Sequence, residues 1–559
     1  MPPYDCRLRN AGLAGGQWNR WPPTRVVAAY RQLGSARVES ERRVDGLLSA
    51  ACARMNLPVD IIHSGGLVPD TPDNPLRRSF LKAGAGAVGT VALSASLLAA
   101  QTPQARRRPN LIFVTTDGHR PDALSLNGNR ILQTPNFDRI GREGVQFRNS
   151  FVTNALCLPS RATALTGLYG HNTGCVDNLD RAIPDDVPMF TDLLRDSGYE
   201  VSVFGKAHVR DLGRRNFDYY FAYPGAATDY FWPVISEGAH GQLGAPAVHE
   251  GYVEDVVMDR AIRWLQQKRE KPFCMIFWFQ SPHAPFFRPR RLLDLYNGIP
   301  IPKPATFDDD LKGYPGKPRA FAEADDVIGT YTRHSQTRSN CARSLEEMVK
   351  DYYAGIVSAD ENMGKLFQAL TEMGQLDDTA IMFSSDHGFF MGEWRKYDKR
   401  FMHEPSIRTP MLIRYPGIVR AGSTDDHMVT NLDIAPTFLE LAGVPVPGRM
   451  QGLSMVPLLK GERPANWRKD WLYEYYEYPG AHDVRKNRGV RTERYKFIHY
   501  WEPPEEFEMY DLEQDPGELH NLYGDPRHAK LARDLRQRLE DLRHETDDHY
   551  VYQPPPRVG

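Results

Sequence analysis

With 559 residues, of which 41% are hydrophobic, 11% aromatic and 25% charged, the chain has the composition of a folded globular protein, and disorder is excluded. Its length exceeds what one core usually supports, so two structural units, one of them large, are expected. Lys plus Arg number 69 against 71 for Asp plus Glu, a net charge of -2, which provides no field to recruit nucleic acid. The six cysteines (Cys6, Cys52, Cys157, Cys175, Cys274, Cys341) include no CxxC pair and follow no regular spacing, which argues against a disulfide framework or a thiolate zinc site.

Along the chain, Arg77, Arg78, Ser79, Phe80, Leu81 and Lys82 precede an uncharged Ala/Gly/Leu/Val run over 83–100 and a polar stretch closed by Arg106, Arg107 and Arg108. A basic region, an apolar region and small residues in that order suit a cleavable leader, and a buried Ala-rich helix or an uncleaved membrane anchor is the alternative. It resembles a bacterial twin-arginine export signal, in which the paired arginines and the following Phe-Leu-Lys are recognised. That implies the export machinery as a partner and a periplasmic or secreted product. The run is short and Ala-rich beside the roughly 20 strongly apolar residues of a stable span, so the mature protein is expected to keep no membrane span. Residues 1–54 are Pro/Arg/Gly-rich without a periodic core pattern, and they read as an N-terminal extension ahead of a second possible start at Met55, leaving 55–107 as the leader.

From Pro109 the chain alternates strands and helices. Apolar runs at 111–114, 201–204, 273–279 and 380–383 end at Asp117-Gly118, Lys206-Ala207-His208, Ser281-Pro282-His283 and Asp386-His387, and helical periodicity covers 255–269 and 346–373. The pattern predicts an α/β domain with a large, mixed, mostly parallel sheet flanked by helices, whose ligands bind beyond the carboxyl ends of the strands. Four runs ending in chemically capable residues at that one edge point to a site. After about 464 the texture changes to short strands (471–478, 489–491, 495–500, 507–512) and a charged helix over 526–543, which predicts a small C-terminal antiparallel-sheet subdomain with a terminal helix. The division is therefore 108–464 and 465–559.

The stretch Cys157-Leu158-Pro159-Ser160-Arg161-Ala162-Thr163-Ala164-Leu165-Thr166-Gly167 sets a cysteine at a helix N-terminus opened by a proline, where free amides favour an anion. On these grounds Cys157 is a candidate low-pKa nucleophile, and a small buried residue ahead of a helix is the alternative. Cys-x-Pro-Ser-Arg followed by Leu-Thr-Gly resembles the signature of the type I sulfatases of the alkaline phosphatase superfamily. Asp117, Lys206 with His208, His283, Asp386-His387 and Lys399, the last within Asp398-Lys399-Arg400-Phe401-Met402-His403-Glu404-Pro405-Ser406, follow in the family's order over about 108–530.

The resemblance implies an alkaline-phosphatase-like fold and a Cα-formylglycine made from Cys157 by a formylglycine-generating enzyme. It implies one divalent cation held by Asp117, Asp386, His387 and the converted Cys157. Arg161 would hold the formylglycine diol, Lys206 and Lys399 would bind the sulfate, His208 would take the diol proton, and His283 would donate to the departing alcohol. Many family members carry paired aspartates where this chain has Asp117-Gly118, and Asn or Gln in place of His387. Calcium is expected first, with manganese or magnesium as alternatives. The C-terminal texture, with Glu477-Tyr478-Pro479 and Tyr495-Lys496-Phe497-Ile498, resembles carbohydrate sulfatases of the N-acetylglucosamine-6-sulfatase type. His482 and Arg485, in a loop before the 489 strand, are the candidate sugar contacts. Three other readings stay open: a phosphonate or phosphate ester hydrolase, an arylsulfatase on the same fold, and a sugar-binding protein whose Cys157 is never converted.

Overall fold

The computed structural model describes residues 108–551 apart from 180, 309–310, 312–315, 325–344 and 481. The leader and the N-terminal extension lie outside the described residues.

An 11-stranded sheet organises the chain. Its centre is β1 (Asn110–Thr116), paired in parallel with β8 (Phe273–Trp278) on one side and β9 (Thr379–Ser385) on the other. Beyond β8 come β3 (Glu200–Lys206) and β4 (Tyr219–Tyr223), also parallel. Antiparallel pairings occupy the flanks. On one flank β5 (Val234–Ala239) carries the short β6 (Gln242–Leu243) and β7 (Ala247–Val248). On the other, β12 (Met411–Arg414) lies between β9 and β2 (Val145–Phe151), and β13 (Ser423–Thr430) closes the edge parallel to β2. A two-stranded ribbon, β10 (Phe390–Met391) and β11 (Tyr397–Asp398), projects from the chain after β9.

Side chains of a strand alternate between faces, so a strand covered on both faces must be apolar at every position. In β1, Leu111 and Phe113 enter one core while Ile112 and Val114 enter another. The first core is covered by α2 (Cys157–Thr166), α3 (Phe190–Asp196) and α6 (Ile434–Leu441). The second is covered by α1 (Pro135–Arg142), α4 (Val253–Leu265) and α5 (Leu345–Glu372). The four expected strands and two expected helices are present within a few residues of their expected ends. The edge strand β13, Ser-Thr-Asp-Asp-His-Met-Val-Thr, has no apolar run to announce it, because only part of it is buried.

The C-terminal sheet is antiparallel in sequence order: β14 (Asp470–Tyr475), β15 (Asn487–Thr492), β16 (Tyr495–Tyr500) and β17 (Glu506–Asp511). The terminal helix α7 (Ala529–Glu545) packs Leu535, Leu539 and Leu542 against Leu472, Val490 and Phe497.

Candidate active site

Parallel pairing of β1 with both neighbours brings three loops to one edge. The Asp117 amide donates to the Ser281 carbonyl at 3.2 Å, and the Asp386 amide donates to the Thr116 carbonyl at 3.2 Å. The loop after β8 and the loop after β9 are thus bonded directly to the end of β1. Beside them, α2 begins at Cys157, whose residue before the helix, Leu156, is extended. The Leu158 amide, one of the orphan donors of that first turn, is capped by Asn178 Oδ1 at 3.0 Å.

Four buried groups converge. Asp117, Cys157, Asp386 and His387 each offer one ligand atom, and these atoms lie within 4.8 Å of one another. Cys157 Sγ is 3.3 Å from His387 Nε2 and 3.7 Å from Asp117 Oδ1. His387 Nδ1 is 2.7 Å from the Gly388 carbonyl, an acceptor only, so that nitrogen carries the proton and donates. Nε2 then faces Asp117 Oδ1 and Asp386 Oδ1, each at 3.5 Å. A nitrogen lone pair facing two carboxylate oxygens requires a positive charge between them, which either a proton or a cation supplies. Burial alone would lower the His387 pKa, but Asp386 overrides it and lifts the ring to about 10. The donor set, two carboxylates and an imidazole directed at one point, therefore fits a divalent cation in place of that proton.

Cationic side chains surround the cluster. Arg161, one helical turn after Cys157, donates to Asp386 Oδ2 through Nε at 3.0 Å and Nη2 at 2.8 Å, to Asp117 Oδ2 at 3.0 Å and to the Lys206 carbonyl at 2.8 Å. Its guanidinium lies 5.0 Å over the Trp278 ring. Lys206, the last residue of β3, donates to Asp117 Oδ2. Burial pushes the Asp117 carboxyl up, but Lys206 and then His283 hold it well below the usual carboxylate range. Burial and Asp117 both raise the Cys157 thiol, yet Lys206, Lys399 and His387 outweigh them and bring it well below its ordinary value. His208 is buried at φ 47°, burial holds its ring neutral with a pKa pushed down to about 4, and Nδ1 has no hydrogen-bond partner among the described residues.

Lys399 is buried and lies 2.9 Å from Asp398 Oδ1. Asp398 (φ 77°) and Arg400 (φ 89°) both adopt the left-handed region that bulky residues avoid, so the backbone bends on each side of Lys399. The C-terminal sheet holds that bend: Tyr473 of β14 donates its hydroxyl to the Arg400 carbonyl at 2.8 Å. Asp398 Oδ2 also accepts from Arg400 at 2.6 Å and lies 3.8 Å from His482 Nε2.

The structure thus joins His482 to the Lys399 loop. Arg485 is held instead by Glu323 at 3.1 Å and Glu506 at 3.5 Å. Sequence reading assigns no role to Asp398, Arg400, Trp278 or Asn178. The first two adjoin Lys399 in the motif, where an acid and a second base flank the lysine, whereas Trp278 and Asn178 meet the site only through the sheet and the helix cap.

Comparison with known proteins gives this geometry its family. The Sulfatase family model matches residues 109–444, and the model described as N-sulphoglucosamine sulphohydrolase, C-terminal, matches 392–545. The chain belongs to the sulfatase family. Sulfatases are sulfuric ester hydrolases, and this chain is an enzyme of that class. The N-acetylglucosamine-6-O-sulfatase of Bacteroides thetaiotaomicron is 35% identical over 82% of this chain and 90% of its own length. The multifunctional alkaline phosphatase superfamily protein PehA of Trinickia caryophylli is 28% identical over 77% of this chain and 94% of its own. Among solved structures, a protein in complex with its substrate D-glucosamine-2-N,6-O-disulfate superposes with TM-score 0.73 at 34% identity, covering 79% of this sulfatase and 99% of that chain. The phosphonate monoester hydrolase of Agrobacterium radiobacter shares the fold, with TM-score 0.64 at 24% identity over 78% of this chain and 96% of that one.

Proposed function

We propose that this sulfatase hydrolyses a sulfate ester on a carbohydrate of the glucosamine-6-sulfate type. The observation that carries the reading is the buried convergence of Asp117, Cys157, Asp386 and His387 beneath Lys206, Lys399 and Arg161, in a chain 35% identical to an N-acetylglucosamine-6-O-sulfatase. Cys157 is the residue converted to Cα-formylglycine, whose hydrated aldehyde supplies the attacking oxygen. One divalent cation, calcium first and manganese or magnesium as alternatives, would fit Asp117, Asp386, His387 and the converted Cys157 and would polarise a sulfate oxygen.

The chain's own residues then divide the work. Lys206 and Lys399 stabilise the charge that shifts as the S–O bond breaks. Arg161, tied to both carboxylates, fixes their positions and offsets their charge. His208 is the base: its ring is neutral and hydrogen-bonded to Cys157, the position from which the diol proton leaves. His283 protonates the leaving alcohol. His482, beside Asp398, and Arg485 in the same loop are the sugar contacts.

A second reading, phosphonate or phosphate ester hydrolysis on the same fold, is favoured by Gly118 and by the imidazole of His387. Rates on N-acetylglucosamine-6-sulfate, an aryl sulfate and an aryl phosphonate separate the two: a sugar-sulfate kcat/KM above both others is expected, and a dominant phosphonate rate would overturn the sulfate reading. The Cys157 peptide should have lost one sulfur and two hydrogens and gained one oxygen. An unconverted cysteine in fully active protein would refute the nucleophile.

Among the described residues no helix is long and apolar enough to cross a membrane. The leader at 55–107 is proposed to route the chain through twin-arginine export to the periplasm or beyond. Arg77→Lys with Arg78→Lys should leave the protein in the cytoplasm, and an unchanged periplasmic yield would refute that route.

A further inference from the structure

Buried polar groups outside the catalytic cluster hold the loop that carries His283. Glu254 lies in the first turn of α4 and is 1% exposed, and among the described residues no cationic side chain pairs with it. Burial pushes its carboxyl up to about 7. Leaving a carboxyl in such a place is costly unless it is hydrogen-bonded to a purpose. An acid in the first turn of a helix ordinarily serves that helix's own amides. Glu254 instead accepts the amide of Ser281, in the loop after β8, at 2.6 Å.

Three tyrosines grip the same loop. Tyr230 donates to the His283 carbonyl at 2.5 Å, Tyr252 donates to the Phe287 carbonyl at 2.9 Å, and Tyr223 donates to Gln280 Oε1 at 2.9 Å. On the opposite side the Ser281 carbonyl accepts the Asp117 amide at 3.2 Å. One peptide segment is therefore fixed between Glu254 and a candidate ligand of the cluster, two residues before His283. His283 Nδ1 is 2.5 Å from the Ala284 carbonyl, which leaves Nε2 as the ring nitrogen open to a substrate.

We propose that Glu254 is a positioning residue for His283: by seating the Ser281 amide it sets where the His283 ring stands relative to Cys157, and Tyr230 assists through the His283 carbonyl. The inference rests on the reading of His283 as the proton donor. In that step the attacking oxygen on the converted Cys157 bonds to sulfur as the bond from sulfur to the sugar oxygen breaks; the electron pair of the broken bond goes to the sugar oxygen, which takes the Nε2 proton of an imidazolium His283 while Nδ1 keeps its own on the Ala284 carbonyl. A sugar alkoxide needs that proton, whereas a nitrophenolate does not.

Leaving-group dependence is therefore the readout, measured on the full chain with converted Cys157. Glu254→Leu, which removes the acceptor of the Ser281 amide, should lower kcat on N-acetylglucosamine-6-sulfate by about tenfold or more, part of the roughly hundred- to ten-thousandfold that general acid catalysis contributes, and hardly change kcat on nitrophenyl sulfate. KM should stay near its original value on both. Tyr230→Phe, which removes one hydroxyl and keeps the ring, should give a smaller loss of the same selectivity and serves as the test if Glu254→Leu folds poorly. In a His283→Asn background, Glu254→Leu should add little further loss on the sugar sulfate. Equal losses on both substrates, or fully additive losses with His283→Asn, would overturn the role of Glu254. His283→Asn alone tests the underlying reading: if it slows both substrates equally, His283 is not the donor and the Glu254 role falls with it. If it is selective and Glu254→Leu is not, only the Glu254 role fails.

Discussion

Lys206 and Lys399 carry the same charge into the same cluster, and neither is the sole partner of its carboxylate. The Lys206 ammonium rests on Asp117, which Arg161 also holds at 3.0 Å, and Asp398, the partner of Lys399, is also held by Arg400 at 2.6 Å. Removing the one partner of a buried charge costs about 3 kcal/mol or more. Because a second cation remains on each carboxylate, Lys206→Ala and Lys399→Ala are both expected to lose less stability than that while lowering kcat. Each should reduce kcat on the order of a hundredfold with a lesser change in KM, because the charge they offset develops in the transition state. Equilibrium unfolding paired with steady-state kinetics tests both statements. Near-normal turnover in either variant would remove that lysine from the site.

At the scale of elements, the site depends on how closely β3 approaches β8. Gly205, next to Lys206, has φ 89°, and a Cβ built on it would lie 2.0 Å from the Trp278 carbonyl oxygen. Only glycine fits, because the backbone conformation and the backbone contact both exclude a side chain. Trp278 lies under the Arg161 guanidinium, and Arg161 donates to the Lys206 carbonyl, so a shift here reaches the carboxylates. Gly205→Ala should cost about 2 kcal/mol or more in stability and lower kcat together with it. An unchanged unfolding midpoint would show that β3 tolerates a side chain there.

At the scale of the whole molecule, a buried ion pair fastens the C-terminal sheet and helix to the large sheet. His171, shortly after α2, sits 2.6 Å from Glu474 of β14 through Nδ1 and 2.9 Å from the Thr546 carbonyl at the end of α7 through Nε2. Burial would lower its pKa, but Glu474 overrides burial and raises it from 6.5 to about 9. A histidine whose folded pKa is raised stabilises fully below its unfolded value of 6.5 and loses that contribution as pH climbs through about 9. The raised pKa corresponds to as much as about 3 kcal/mol between those limits. Wild type and His171→Gln compared by urea unfolding near pH 6 and near pH 10 should differ at the lower pH and converge at the higher. A difference that stays constant with pH would remove the ion pair from the account.

Sequence alone determined the α/β alternation, the central strands β1, β3, β8 and β9, the antiparallel C-terminal sheet, and the sheet edge at which the runs before Asp117, Lys206, His283 and Asp386-His387 end. These features are legible because a strand buried on both faces must be continuously apolar, and because its last apolar residue marks where the polar edge begins. The motif around Cys157 and Lys399 added the family. What only the tertiary structure decided are relations across distance: Arg161 clamping two carboxylates from separate strands, Asp398 and Arg400 bending the chain around Lys399 under the hold of Tyr473, Arg485 engaged by Glu323 and Glu506, and Glu254 serving a loop beyond its own helix. Local patterning records which face of an element is buried. It carries no record of which distant backbone group a buried polar side chain will meet, because that partner is fixed by strand order and register, which emerge only when the sheet assembles.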